Sequence, residues 1–299
     1  MDRPRTGLRR WARIAFGTLG VLFLLAALVR QWEDVRDGIE FSVARLAVAA
    51  VLIAISIMSL AHGWARLMPG TSDRQRMRKI FYLSQPAKYI PGGVVQPVGQ
   101  VALTTDEGVS AGHSITAFIV HSVASATGGA LLGAGMVFVT DVPTWLRACA
   151  AVGLIAPVIL WQPVLLKAGA LVARILRRPF REELLPRQKD TVIALGWALL
   201  GIAASATAFA VVAGDSIDIA GWVVVSAYSL AFTIGFLAVP FPSGIGIREG
   251  ALALLLPATG LATIVAVSAL HRLVSMLAEL SVLGSSQRDW RGSRRVTPP

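Results

Sequence analysis

Residues 43–65, VARLAVAAVLIAISIMSLAHGWA, form a run of apolar and small side chains with a single arginine near its start. As a helix this run is about 35 Å long, enough to cross a hydrocarbon core of about 30 Å. Similar runs recur near 12–31, 112–139, 145–165, 191–213, 219–239 and 261–284. They are continuous rather than alternating, which excludes a transmembrane β-barrel. The pattern predicts an all-α, polytopic helical membrane protein with 7–8 transmembrane helices.

The composition agrees with a membrane protein. The 299 residues are 55% hydrophobic and 15% charged, with a mean hydropathy of +0.66. The net charge of +11 lies mostly in short segments between apolar runs, so it reflects topology and predicts no nucleic-acid partner. Cys149 is the one cysteine, which excludes an intramolecular disulfide and disfavours a cysteine metal site.

The signs of the loop charges predict the orientation in the membrane. The segment before residue 14 and the loops 66–79 and 167–190 are net positive, whereas 30–45 and 214–218 are net negative. Basic loops stay in the cytoplasm, so we expect a multi-pass protein of the cytoplasmic (inner) membrane with a cytoplasmic N-terminus. We read the first apolar run as a retained helix rather than a signal peptide.

The arginine-rich C-terminal tail conflicts with seven crossings, which would place it outside. We therefore favour an additional short crossing at 244–259, giving eight. The sequence predicts one transmembrane domain over 1–299, with pseudo-repeat halves at about 12–139 and 191–284 and a linking helix at 145–165. The segment 167–190 is either an amphipathic helix on the cytoplasmic headgroup surface or a solvated connector.

Two stretches rich in proline and glycine interrupt the apolar pattern. They are KYIPGGVVQPVGQ at 88–100 and VPFPSGIGIREGALALLL at 239–256. Such backbone is tolerated at membrane depth only where protein or water covers it, and paired breaks in matching halves indicate a transporter-like site. Each break precedes a new helix whose free N–H groups can receive an anion such as phosphate. The alternative is a pair of loops at the membrane surface.

Charged residues near these breaks are the best candidates for function, since charges within apolar runs are costly. Arg272 and Glu279 are seven residues apart and share a helix face, and Glu279 near the helix end is expected to reach water. Arg272 either pairs with Glu249 or, like Lys88 and Arg248, holds a lipid phosphate. The predicted substrate-binding residues are Lys88, Tyr89, Gly92, Gly93, Gln96, Gln100, Ser243, Gly244, Gly246, Arg248, Glu249 and Arg272.

The helix at 112–139 carries a second pattern, in which small residues recur at spacings that allow close helix approach: Ser122, Ser125, Gly128, Gly129, Gly133 and Gly135. His121 on this helix is expected to be packed and hydrogen-bonded. The chain has no H-E-x-x-H, no G-x-S-x-G and no metal-ligand spacing among its four histidines. We therefore expect no catalytic residues, no metal and no cofactor, and a protein that is not an enzyme.

With both breaks in view, the chain resembles the transmembrane, flippase-type region of lysylphosphatidylglycerol synthases. KYIPGGVVQPVGQVALTTDEGVS is similar to that family's Y-[IL]-P-G-x-[VW]-x-Q element, PFPSGIGIREGALALLL to its glycine-rich R-E element, and ALHRL to the arginine of its last helix. The resemblance implies a role for Tyr89, Pro91, Gly92, Gln96, Gly244, Gly246, Arg248, Glu249 and Arg272. Gln100, Ser243 and the His121–Ser122 pair depart from the family pattern. The resemblance implies a stand-alone member without the synthase domain, which handles lipid without aminoacylating it.

These features predict a flippase or transporter for an anionic phospholipid, an aminoacylated lipid or a polyprenyl-phosphate lipid. The alternative is a non-catalytic membrane partner of a glycosyltransferase or lipid-modifying enzyme, and an intramembrane enzyme is the third reading. The expected partners are an anionic lipid headgroup, such a membrane enzyme, and a second copy of the chain in a homodimer.

Overall fold

The computed structural model describes residues 42–89, 95–139, 142–175, 177, 179–237 and 246–293. Several sequence predictions lie outside the described residues: the first crossing at 12–31, the side chain of Tyr89, and Pro91, Gly92, Gly93, Ser243 and Gly244.

Helices form almost all of the described structure, as the sequence predicted. The ten α-helices of the described residues are α1 Val43–Arg66, α2 Arg74–Ser84, α3 Val95–Thr105, α4 Ala111–Gly133, α5 Thr144–Val152, α6 Gln162–Ile175, α7 Gln188–Ala213, α8 Gly221–Leu237, α9 Ile247–Leu255 and α10 Leu261–Ser293. Short 3₁₀ helices follow or precede them at Gln85–Tyr89, Ala134–Phe138, Ala156–Leu160, Glu182–Leu184 and Gly214–Ser216.

Four helical stretches of the described residues are long and apolar enough to cross a membrane: Val43–Arg66, Ala111–Phe138, Glu182–Ser216 and Leu261–Gly284. A fifth candidate is the pair Thr144–Leu160 and Gln162–Ile175, which is bent by 83°. Large apolar side chains point outward from these helices, for example Val51 at 61% and Leu277 at 65% exposure. An apolar exterior around a packed interior is the arrangement that a bilayer requires.

Helices α1 and α7 form the antiparallel centre of the bundle. Arg45 near the start of α1 pairs with Asp215 beyond the end of α7, at 2.6 Å. At the other end of the pair, Arg66 lies 2.8 Å from Asp190 in the first turn of α7. The two helices approach closely, because a Cβ atom on Gly201 would lie only 3.1 Å from a backbone carbonyl of α1.

The small residues of α4 pack as the sequence predicted. A Cβ atom on Gly133 would lie 2.8 Å from the Cβ of Leu230 on α8, and one on Gly128 would lie 3.3 Å from the backbone nitrogen of Leu199 on α7. The absence of side chains on this face therefore lets α4 contact α7 and α8 almost backbone to backbone.

The interpretation of 66–79 as a connecting loop was incomplete, because α2 begins within it. Asp73 caps α2 by accepting hydrogen bonds from the backbone N–H groups of Gln75 and Arg76. The Arg74 guanidinium donates to the carbonyls of Ala65 and Met68, which closes the end of α1. This helix is rich in arginine, so hydropathy alone does not reveal it.

Two further ranges differ from the predicted crossings. The uninterrupted helix expected at 145–165 is interrupted, because α5 ends at Val152, a 3₁₀ helix spans Ala156–Leu160, and the chain then bends before α6. The extra crossing expected at 244–259 contains α9, whose nine residues are about 14 Å long, less than half of the hydrocarbon thickness.

The segment 167–190 contains the end of α6, a short 3₁₀ turn and the start of α7, rather than one amphipathic helix. The 3₁₀ turn of this segment lies against the start of α4, where the His113 ring is 3.2 Å from the Glu183 carbonyl oxygen.

Candidate functional site

The second break ends at Gly246, which begins α9 in a conformation that favours glycine. Its φ angle is +85°, in the left-handed region. The Gly246 backbone N–H donates a 2.7 Å hydrogen bond to the Glu249 carboxylate three residues later. Glu249 therefore satisfies one of the free donors of the helix start and places its negative charge at the positive end of the helix.

Glu249 also forms the ion pair that the sequence predicted with Arg272. Arg272 Nη2 on α10 donates to Glu249 Oε1 at 2.5 Å, and both side chains are largely buried. A buried pair of this kind neutralises both charges but stays expensive to break. It fixes the start of α9 against the middle of α10.

Arg248, the preceding residue, has a different environment. Its guanidinium lies over the Tyr228 ring at 4.2 Å from the centroid and 5.6 Å from that of Phe232. Its Nη2 atom is buried and has no hydrogen-bond partner among the described residues. Aromatic faces stabilise a cation partly, but they do not satisfy its N–H donors.

Tyr228 belongs to a cluster of aromatic and histidine side chains behind Arg248. Its ring lies 4.7 Å from that of Phe209 on α7 and 5.2 Å from that of His271 on α10. The Ser205 hydroxyl is 3.0 Å from the Tyr228 hydroxyl, and the Ser205 carbonyl oxygen is 3.2 Å from His271 Nε2. These contacts hold the ring beneath Arg248 in place.

The first half of the chain contains a similar cluster. Trp64 on α1 lies 5.8 Å from Phe81 on α2, whose ring is 5.6 Å from that of His121 on α4. His121 is buried, as expected, but its Nδ1 atom has no hydrogen-bond partner among the described residues, so the expectation of a hydrogen-bonded ring was wrong. Each cluster thus joins a long helix, the helix that precedes a break, and a histidine on the long helix that follows it.

Polar side chains also surround the first break. Lys88 forms an ion pair with Glu279 of α10 and donates to Gln85 Oε1 at 3.3 Å. Gln100 on α3 donates from Nε2 to the Ser84 hydroxyl at 2.9 Å. Glu279 is buried, so the expectation that it simply reaches water was wrong.

One face of α10 connects the surroundings of both breaks. Arg272 forms an ion pair with Glu249, which follows the second break, and Glu279 forms one with Lys88, which precedes the first break. The two α10 residues are about 10 Å apart along the helix axis. The charged groups of the two halves are therefore arranged in one row.

Of the predicted site residues that the structure describes, Lys88, Gln100, Gly246, Arg248, Glu249 and Arg272 have the contacts given above, and Gln96 is half-buried on α3. Sequence reasoning missed Gln85, Ser205 and Tyr228. Tyr228 lies in an uninterrupted apolar run, so only its three-dimensional contacts reveal it.

The described residues contain no group of three or more histidine, cysteine, aspartate or glutamate side chains that could hold a metal ion. Around the two breaks they provide Arg248 with an unsatisfied donor, two ion pairs and two buried amides, those of Gln85 and Gln100. Such a set can bind an anionic or hydroxyl-bearing group by hydrogen bonds and charge.

Membrane-length helices with a charged row between them define an integral, all-helical membrane protein. The family model described as the lysylphosphatidylglycerol synthase TM region matches residues 10–281. The chain belongs to this family, which connects it to membrane lipid. No match is found among curated proteins.

Proposed function

We propose that the protein is a carrier that moves a lipid with an anionic headgroup between the two leaflets, without itself catalysing a chemical reaction. The substrate class is an anionic phospholipid, an aminoacylated lipid or a polyprenyl-phosphate lipid. The single observation that carries this proposal is Arg248, whose buried Nη2 atom lacks a partner among the described residues.

The local charge balance supports a phosphate ligand. Glu249 neutralises Arg272 and Glu279 neutralises Lys88, so Arg248 contributes one positive charge that no carboxylate of the described residues offsets. A phosphodiester carries one negative charge and acceptor oxygens. It would neutralise the charge of Arg248 and accept the hydrogen bond from Nη2 that the aromatic rings leave unsatisfied.

The experiment is a lipid-movement assay in proteoliposomes, with labelled lipids of several headgroups in one leaflet. Arg248→Met should slow movement of anionic lipids roughly 10- to 100-fold, the equivalent of a charged hydrogen bond worth about 1.5–3 kcal/mol. Arg76→Met, at an exposed arginine paired with Glu107, is the matched control and should move lipid at the wild-type rate.

Equal rates for Arg248→Met and the wild type would remove Arg248 from the mechanism. No movement of any headgroup by the wild type, together with co-purification of a lipid-modifying membrane enzyme, would favour the partner role instead.

We further propose that the two halves are inverted repeats, in which α1–α4 correspond to α7–α10. The antiparallel arrangement of α1 and α7 supports this, because corresponding helices then run in opposite directions. The repeated aromatic–histidine cluster supports it independently. Each half has a long helix, a helix leading to the break, a short helix and a second long helix.

This arrangement has a consequence for topology in a cytoplasmic membrane. With the N-terminus in the cytoplasm, α2 and α3 would enter and leave from the cytoplasmic side, and α8 and α9 from the opposite side. Because α8 and α9 would return to the side from which they enter, the range 219–239 would not be a full crossing, and six crossings would remain. The end of α10 and its basic tail would then be cytoplasmic, in agreement with the charge rule. Breaks that open to opposite sides also suit alternating access.

Cysteine labelling in intact cells tests this topology in a Cys149→Ala background. Thr105→Cys marks the end of α3, and Ala258→Cys marks the turn after α9; both positions are exposed. An impermeant reagent added from outside should label Ala258→Cys but not Thr105→Cys. Equal protection of both positions would support parallel halves instead.

A further inference from the structure

Among the described residues, two buried amides beside the first break each have one atom without a hydrogen-bond partner. Gln85 is 7% exposed and its Nε2 finds no partner there, and Gln100 is 1% exposed and its Oε1 finds none either. Buried amides in folded proteins nearly always have partners for their polar atoms. These two atoms are therefore an unexplained polar feature close to the first break and separate from the Arg248 site.

The identities of the unpartnered atoms follow from their neighbours. The Ser84 hydroxyl proton is donated to the Phe81 carbonyl at 2.8 Å, so Ser84 must accept from the Gln100 amide nitrogen. The Lys88 ammonium can only donate, so it must face the Gln85 amide oxygen. Exchanging the nitrogen and oxygen of Gln85 would break its bond with Lys88, and exchanging those of Gln100 would require the Ser84 proton to leave the Phe81 carbonyl. The cluster thus offers one N–H donor and one carbonyl acceptor.

We propose that Gln85 and Gln100 form a second binding site, which takes a headgroup carrying a vicinal diol, such as glycerol or a sugar. A hydroxyl group both donates and accepts, so a diol satisfies both amides. A quaternary ammonium has no N–H to donate to Gln100 Oε1. A primary ammonium has no lone pair to accept from Gln85 Nε2.

The position of this site relates it to the proposed transport. Glu279 pairs with Lys88 beside Gln85, and it lies on the same α10 face as Arg272. The diol site would therefore lie about 10 Å along α10 from the phosphate site. This inference rests on the proposed function for its ligand, a lipid headgroup, but it concerns different residues.

The test measures lipid binding to the full-length protein by native mass spectrometry. The probes share acyl chains and carry a glycerol, a hexose or a choline headgroup. The variants are Gln85→Met and Gln100→Met, which keep the side-chain length, and Gln75→Met at an exposed position is the matched control.

The wild type and Gln75→Met should bind the diol lipids about tenfold more tightly than the choline lipid, which corresponds to roughly one net hydrogen bond per amide. Each site variant loses the bond of one amide, so its preference should fall to about threefold while it keeps its affinity for the choline lipid. The glycerol and hexose probes separate the two sources of the diol.

A wild-type protein with no diol preference would overturn the proposal and assign the amides to water alone. Site variants that fold and retain the full preference would overturn it as well. If instead the diol preference depends on Gln85 and Gln100 but no lipid moves in proteoliposomes, the binding site stands and the transport function falls.

Discussion

Neutralising Glu249 is the most informative perturbation of the charged row. Glu249→Gln removes the negative charge beside Arg272, and its amide oxygen can still accept from the Gly246 N–H. Both members of the ion pair are more than four-fifths buried, so the variant removes the Glu249 charge from beside an arginine that is poorly solvated. Breaking a buried pair from one side costs about 3–5 kcal/mol of folding free energy.

Arg272→Met should cost a similar amount, because it strands the Glu249 carboxylate. The double variant Glu249→Gln/Arg272→Met leaves neither charge, so its loss should fall below the sum of the single losses by about 2–3 kcal/mol. The assay is reversible unfolding in mixed micelles, followed by tryptophan fluorescence across a denaturant series.

The matched control is the more exposed ion pair at the end of the bundle. Arg66→Met, Asp190→Asn and their double variant should show a coupling of about 1 kcal/mol or less, since solvent screens an ion pair whose arginine is 38% exposed. Strict additivity for Glu249 and Arg272 would mean that the two residues do not pair in the folded protein, and the description of the site would then be wrong.

Two further predictions concern packing and the ring beneath Arg248. Gly133→Ala should destabilise the protein by about 1–3 kcal/mol, because the added methyl group meets Leu230 at 2.8 Å. Gly250→Ala, where nothing lies within 4 Å, should be neutral or stabilising by up to about 1 kcal/mol; equal losses in thermal unfolding would contradict the close helix contact. Tyr228→Phe should lose about 1 kcal/mol with the Ser205 hydrogen bond. Tyr228→Leu should lose about 1–2 kcal/mol more with the cation–π contact, and equal losses for both variants would exclude that contact.

The apolar pattern was sufficient to predict most of the long helices, because a membrane helix must be apolar over a fixed length. The Glu249–Arg272 pair was also predictable, since a charge in apolar surroundings needs a partner of opposite sign and few such partners are available. The separation of Arg272 and Glu279 by seven residues correctly indicated a shared face of one helix.

Other features depend on contacts between distant parts of the chain. Helix α2 looks like a basic loop in a hydropathy plot, and its role beside the first break appears only when Phe81 meets His121. The sequence around Gln85 does not indicate a role for it, because only the structure shows that its amide is buried and accepts a hydrogen bond from Lys88. The length of α9 was misjudged because an apolar run does not reveal where its helix begins or ends.

The last long helix has a mechanical consequence through its two ion pairs. Arg272 pairs with Glu249 of the second half and Glu279 pairs with Lys88 of the first half, although both residues lie on the single helix α10. A rotation of α10 that is large enough to withdraw one of these side chains from its partner also displaces the other. The Arg272–Glu249 and Glu279–Lys88 ion pairs should therefore weaken together, so a movement that breaks one pair also strains the other.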